Sequence, residues 1–244
     1  PLFIMYSSGT TGKPKCIVHS AGGTLIQLIK EHQLHADIKP GEKVFFFTTC
    51  GWMMWNWLVT ALASEATIIL YEGSPFYPSK NHLWDIAEQE KIHHFGISPR
   101  YISALSKEGV IPKNDFKLNS LRAILSTGSP LLPDHYKFIR QSIKSGIQIS
   151  SISGGTDIIS CFALSVPILP IFEGEIQCAG LGMDVHIFSS NGIEADIGKK
   201  VNWFAPNHFH QCQSTFLMTK IKRNIKKVIL KNITMFGHMV ILLV

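Results

Sequence analysis

The stretch Tyr6-Ser7-Ser8-Gly9-Thr10-Thr11-Gly12-Lys13-Pro14-Lys15 decides how the rest of this chain is read. Before it runs Leu2-Phe3-Ile4-Met5-Tyr6, an apolar segment that reads as a buried strand, and after it Cys16-Ile17-Val18-His19 reads as a second strand. Two glycines let the backbone fold tightly around a ligand, and four hydroxyls and two lysines face whatever sits there. That is the composition of a loop that wraps phosphate oxygens. A Walker loop is excluded. Its glycines stand further apart, whereas only Thr10 and Thr11 separate Gly9 from Gly12, and Pro14 follows Lys13 where a helix N-terminus needs free N–H groups.

Working outward, strand-like runs alternate with helical patterns up to about residue 160. Leu25, Leu28 and Ile29 mark a helix over 24–35, followed by a strand over 43–48 and a helix rich in Trp and Met over 51–63. A strand at 66–71 closes at Gly73-Ser74-Pro75, and Asn81 or a neighbour caps a helix through Trp84, Ile86 and Ile92. A short strand at 94–97, a helix opened by Pro99, a strand at 121–125, a helix at 133–143 and a strand at 147–152 complete the series. This alternation means βαβ units, so an α/β fold with a mainly parallel sheet flanked by helices is expected. Ligands gather at the carboxyl ends of such strands. The phosphate loop, Thr127-Gly128 and Gly154-Gly155 each follow a strand in this way. The pattern changes after about residue 170. Strands at 174–178 and 183–188, with turns at Leu181-Gly182 and Asn191-Gly192, suggest that a nucleotide-binding core over 1–170 gives way to a small β-subdomain from 171.

The decapeptide resembles the phosphate loop of the AMP-forming acyl-CoA synthetases, the adenylate-forming enzymes, and two further elements extend the resemblance over about residues 1–198. Ser153-Gly154-Gly155-Thr156-Asp157 looks like the family's second nucleotide element, and Ser126-Thr127-Gly128-Ser129-Pro130 like its adenine-side turn. The resemblance implies ATP, Mg2+ and CoA. It places ATP against Ser7, Ser8, Gly9, Thr10, Thr11, Gly12, Lys15, Gly128, Ser129, Pro130, Ser151, Ile152, Ser153, Gly154, Gly155 and Thr156. Thr156, Asp157 and Lys15 would then assist the chemistry, with Thr156 on the α-phosphate, Lys15 adding charge and Asp157 holding Mg2+. His19, just past the loop, reads as a packed strand histidine rather than a base.

Thr48-Thr49-Cys50-Gly51-Trp52-Met53-Met54 resembles the family's acyl-pocket segment, so Trp52, Met53, Met54 and Thr127 become candidate contacts for the acid. Gly154 stands where the acetate-activating members carry a Trp that closes the pocket. Indole replaced by hydrogen leaves room for a longer acid, and the surrounding string resembles the members that activate acetoacetate. Flexible methionines suit such a pocket. Trp55 and Trp57 read as core. The implied reaction joins the carboxylate to AMP with loss of pyrophosphate, after which the CoA thiol displaces AMP. A non-catalytic nucleotide-binding module, or another short-chain acyl-CoA synthetase, remains the alternative.

Composition bounds the rest. The chain has 244 residues, 45% apolar, enough for one large domain. Five cysteines without a CxxC pair indicate neither a disulfide framework nor a zinc site, hence a reducing, cytoplasmic setting. No signal peptide is read, and no apolar run reaches the roughly 18–20 residues of a membrane span. The net charge of +6 suggests nucleic acid until it is located: residues 1–198 hold 15 Lys and Arg against 17 acids, while 199–244 hold 8 and no acid. No nucleic-acid partner is therefore expected of the domain, and the oligomeric state stays open. Shifting the degenerate codons by one base from Lys199 permits three ordered segments that resemble the family's continuation, its Gly-Asp ribose element included. The basic tail at 199–244 is accordingly expected to be out of frame and not natively packed. With the family's N-terminal part and C-terminal domain both absent from the sequence, no activity of its own is expected of this fragment.

Overall fold

The computed structural model describes residues 1–7, 13–183 and 185. The chain enters through β1 (Phe3–Ser7) and β2 (Lys15–His19), then α1 (Ala21–Lys30), which widens into a π-helical turn at Glu31–His35. There follow β3 (Lys43–Phe46), α2 (Met53–Thr60), β4 (Thr67–Ile69), α3 (His82–Gln89), β5 (His94–Gly96), α4 (Pro99–Lys107) and the short α5 (Pro112–Asp115). The chain continues with β6 (Ala123–Ser126), α6 (Pro133–Phe138) with a second π-helical turn at Ile139–Ile143, and β7 (Gln148–Ser151). Last among the described residues come β8 (Ser153–Gly155), β9 (Ser160–Leu164) and β10 (Cys178–Ala179).

Five strands form the expected parallel sheet, in the order β4-β3-β5-β6-β7. Successive residues of a strand face opposite sides, and the core follows that period. Phe45, Phe95, Ile124 and Ile149 point to one face, where they pack with Leu83 and Trp84 of α3, Ile102 and Leu105 of α4, and Tyr136 of α6. Val44, Phe46, Ala123 and Leu125 point to the other, against Leu28 of α1 and Met54, Trp57 and Leu58 of α2. The strands are apolar on both sides because helices cover both.

The first two strands depart from expectation. β1 pairs with β2 in an antiparallel hairpin, running from Phe3↔His19 to Ser7↔Lys15, and among the described residues joins no parallel strand. The connection between them is too short for the crossover that a parallel neighbour requires, so the chain can only double back. Nor is β1 a buried strand: Met5 is buried while Leu2, Ile4 and Tyr6 are exposed, the alternation of a strand with one covered face. At α3, Asn81 occupies the cap position without capping: its backbone is already helical (φ −94°, ψ −1°) where a cap is extended, and its side-chain amide donates to Asp115 Oδ2 at 3.1 Å. Ser98 does cap α4, accepting from the Tyr101 N–H at 3.3 Å.

β9 was not anticipated. It pairs with β8 on one side and β10 on the other in an antiparallel sheet. Of the strand expected over 174–178, only Cys178 is extended, and Gly182 turns the chain with φ +77°. Most of the strand expected at 183–188, the Asn191-Gly192 turn and the tail from Lys199 lie outside the described residues.

Candidate active site

The sheet has a point where its winding reverses. The chain crosses from β3 to β4 on one side, then returns past β3 to lay β5, β6 and β7 on the other. Crevices that hold ligands open at the carboxyl ends of strands beside such a reversal. After β3 the chain turns through a Trp52 N–H to Thr49 carbonyl bond of 3.0 Å and enters α2. Trp52 is 63% exposed, Met53 is half-buried, and Met54 is buried against Trp57 in the core.

After β6 and β7 the two following turns are locked side by side. The Ile152 N–H donates to the Ser126 carbonyl at 2.8 Å, and the Thr127 hydroxyl donates to the Ile152 carbonyl at 2.8 Å. Gly128 then takes φ +91°, a backbone conformation that side-chained residues rarely adopt, which leaves Ser129 and Pro130 exposed. Ser151 and Ile152 are buried, and Ser153, Gly154 and Gly155 make up β8. Thr156 and Asp157 follow, half-buried, in the turn between β8 and β9. Ile159 closes that turn with φ +48°, an outlier for a β-branched residue.

Gly154 has a local reason to be glycine that the sequence did not disclose. It faces Cys161 across an irregular step of the β8–β9 pairing, and a Cβ there would lie 2.2 Å from the Ser160 carbonyl oxygen. Any side chain at this position has to displace β9 before it can fill a pocket.

The hairpin β1–β2 is tied to the same turn. His19 is fully buried, and its Nε2 lies 2.9 Å from the Thr156 carbonyl, which can only accept, so Nε2 carries the hydrogen. Burial lowers its pKa, against the opposing pull of the Thr156 carbonyl and the Asp157 carboxylate. His19 is thus a peg between the stem of the glycine loop and the Thr156–Asp157 turn. Ser7 and Lys15 face each other across the mouth of the hairpin, half-buried and exposed respectively. Ser8, Gly9, Thr10, Thr11 and Gly12 lie outside the described residues.

Among the described residues no three His, Cys, Asp or Glu side chains gather to cage a metal. Mg2+ is usually brought in on phosphate oxygens with one or two protein carboxylates, and the turn between β8 and β9 carries one carboxylate, that of Asp157. Sequence reasoning also missed a buried polar group beneath the turn. The Glu31 carboxylate accepts the Trp57 indole N–H at 3.1 Å and the Cys161 N–H at 2.9 Å. In the sequence, Gln27 and Glu31 look like any polar pair on one helical face; nothing marks them as interior.

The sequence profile described as AMP-binding enzyme matches residues 1–185. The chain belongs to that family. It is 54% identical over 192 residues to the acetoacetyl-coenzyme A synthetase of Rhizobium meliloti (strain 1021), covering 79% of this chain and 30% of that protein. It is 45% identical over 211 residues to the malonamoyl-CoA synthetase vrtB of Penicillium aethiopicum, covering 81% and 29%. The solved structure of acetoacetyl-CoA synthetase from Streptomyces lividans superposes with a TM-score of 0.74 at 44% identity, again over 79% of this chain and 30% of that one. This AMP-binding chain therefore spans about 30% of the length of the relatives it matches.

Proposed function

We propose that this chain is the ATP- and acid-binding part of an acetoacetate–CoA ligase of the AMP-forming type. The observation that supports the proposal is the joining of Thr127 to Ile152, which sets the Gly128 turn beside the segment that leads to Thr156 and Asp157. Both lie on the sheet edge where Trp52 and Met53 enter α2.

A carboxylate resists attack by a thiol until one of its oxygens becomes part of a leaving group. Attack on the α-phosphorus of ATP achieves that, with pyrophosphate departing, and the CoA thiol then expels AMP. In such a reaction the protein positions and neutralises rather than bonding covalently. Lys15 and the hydroxyls of Ser7, Ser8, Thr10 and Thr11 are assigned to the β- and γ-phosphates, and the Thr156 hydroxyl to the α-phosphate. Gly128, Ser129 and Pro130 are assigned to the adenine, beside backbone at Ser151, Ile152, Ser153, Gly154 and Gly155. Asp157 would hold Mg2+, which neutralises charge on the phosphates. Trp52, Met53, Met54 and Thr127 are assigned to the acid. The free thiols of Cys16, Cys50, Cys161 and Cys178 support a reducing compartment, the cytoplasm.

A second acid is favoured by the fungal relative. Acetoacetate and malonamate both carry a carbonyl β to the carboxylate and differ only in a terminal methyl or amide nitrogen, so a pocket shaped for one is nearly isosteric for the other. A chimera tests both readings. Residues 1–185 replace the corresponding segment of the Rhizobium enzyme, and CoA ester formation is assayed with acetate, acetoacetate and malonamate. Retention of the acetoacetate preference is expected; a preference for malonamate selects the second reading. The unfused chain should bind Mg2+·ATP weakly and form no measurable CoA ester. A chimera that folds, binds ATP and activates none of the three acids overturns the proposal.

A further inference from the structure

The Glu31 carboxylate is fully buried and has no part in the chemistry assigned above. Its Oε2 accepts from Trp57 Nε1 at 3.1 Å. Its Oε1 accepts from the Cys161 N–H at 2.9 Å, from Gln27 Nε2 at 3.3 Å and from the Ser160 hydroxyl. Gln27 Nε2 reaches the Ser160 hydroxyl as well, at 2.6 Å. An indole N–H and a peptide N–H can only donate, so both carboxylate oxygens act as acceptors.

These bonds join α1, α2 and β9. Ser160 and Cys161 pair with Gly155 and Gly154, the residues that lead into Thr156 and Asp157. Ser160 also follows Ile159, whose left-handed backbone persists only if its surroundings hold it. At the other end of the group, Trp57 shares a core with Met54 on the helix that begins at the candidate acid contacts. Glu31 opens the π-helical turn, an irregularity that proteins often keep at functional sites. An apolar residue in its place would leave the buried Trp57 indole N–H and Cys161 N–H without this acceptor, so the carboxylate ties α2 to β9 as well as filling space.

We propose that Glu31 is a positioning residue that fixes the Thr156–Asp157 turn and couples it to the acid-side end of α2. What the turn binds rests on the function proposed above; the coupling itself does not. Glu31→Gln keeps the volume but turns an NH2 group toward groups that only donate. Ser160→Ala removes one donor and leaves the carboxylate in place.

Hydrogen exchange of the full 1–244 chain, read by mass spectrometry, is the first measurement. Glu31→Gln should speed exchange in peptides spanning 153–164 by about tenfold or more while peptides spanning β5 and β6 stay unchanged; Ser160→Ala should do so by less. Mg2+·ATP titration is the second, at a temperature where circular dichroism shows every variant folded. Because Ser160 and Cys161 pair with the residues that lead into Asp157, Glu31→Gln should lose roughly tenfold with Mg2+ present and much less without it. Uniformly faster exchange across the parallel sheet, or an unchanged hairpin, overturns the proposal, as does an unaltered Mg2+ dependence in a chain that binds ATP. If Glu31→Gln fails to fold, Ser160→Ala carries the same readings. A responsive hairpin in a chain with no affinity for Mg2+·ATP supports the positioning role and rejects the proposed ligand.

Discussion

The two ends of the parallel sheet use polar groups in opposite ways. At the amino ends of β3, β5 and β6 charges are spent on one another: Arg122 bridges Asp37 and Glu42, Glu42 accepts from His94 Nε2 at 2.8 Å, and Lys39 closes on Asp37. At the carboxyl ends, hydroxyls and backbone groups line the turns, and Asp157 makes no ion pair among the described residues. The first arrangement holds strands together and leaves no group free for a ligand. The second leaves the Asp157 carboxylate without an ion-pair partner among the described residues, as the proposed binding of phosphate and metal requires. The difference teaches that acid should unfold this domain through its amino edge, while substitutions at the carboxyl edge should act on turns.

The largest effect is expected from His32. It lies on the π-helical turn after α1, fully buried, with Nε2 donating to the Trp57 carbonyl at 2.9 Å. Burial lowers its pKa to about 3, the Trp57 carbonyl opposing and His94 adding to the shift. Its folded value lies below the ordinary 6.5, so the unfolded chain binds the proton more readily and stability falls as pH drops from 6.5 toward 3. The ceiling on that loss is about 5 kcal/mol. Urea unfolding across this range should show a steep decline, shallower in His32→Gln, whose amide can still donate to Trp57. Parallel declines in the two proteins would remove His32 as a cause.

Glu42 should come next. Burial works against its charge, but hydrogen bonds from His94, the Lys39 N–H and Arg122 hold its pKa at about 2. The contribution is complete above the ordinary 4.5 and lost as pH falls through 2. At neutral pH, Glu42→Gln should cost up to roughly 3 kcal/mol and flatten the most acidic part of the profile. If it costs nothing, the amino edge is not the lock described here.

At the other edge, Gly154→Ala should lower stability by about 1–3 kcal/mol, because even a methyl group meets the Ser160 carbonyl. Gly154→Trp should therefore weaken the β8–β9 hairpin before it changes which acid fits. A Trp variant with full stability and a shifted acetate preference in the chimera would show that β9 yields more readily than this packing implies. The smallest effect belongs to Thr127→Val, which removes one hydrogen bond between neighbouring turns and should cost about 1 kcal/mol. In the chimera its KM for acetoacetate should rise beyond what the lost stability explains; an unchanged KM would make Thr127 a structural residue only.

Much of the fold was legible because parallel strands and covering helices impose different periods on apolar residues. The alternation from Val44 to Ile152 survives in the observed sheet, and Gly128 takes a left-handed conformation in the segment that resembled a turn. Thr127, Thr156 and Asp157 were legible as site candidates through short motifs that stay contiguous in sequence. Glu31, His32 and the Asp37–Glu42–His94–Arg122 group were not, since each depends on partners far along the chain. Trp57, which read as core, is 1% exposed, but its indole N–H bond to Glu31 had no local sign.

Sequence alone determined the succession of strands and helices from β1 to β7, the turns that end those strands, and the residue types able to meet a phosphate. Local preference and periodicity suffice for those. Only the tertiary structure decided that β1 and β2 stand apart from the parallel sheet, that β9 lies against Gly154, and that Glu31 faces inward. Each of these turns on which distant segment supplies the missing hydrogen-bond partner. A chain can encode that choice only through all of its contacts at once.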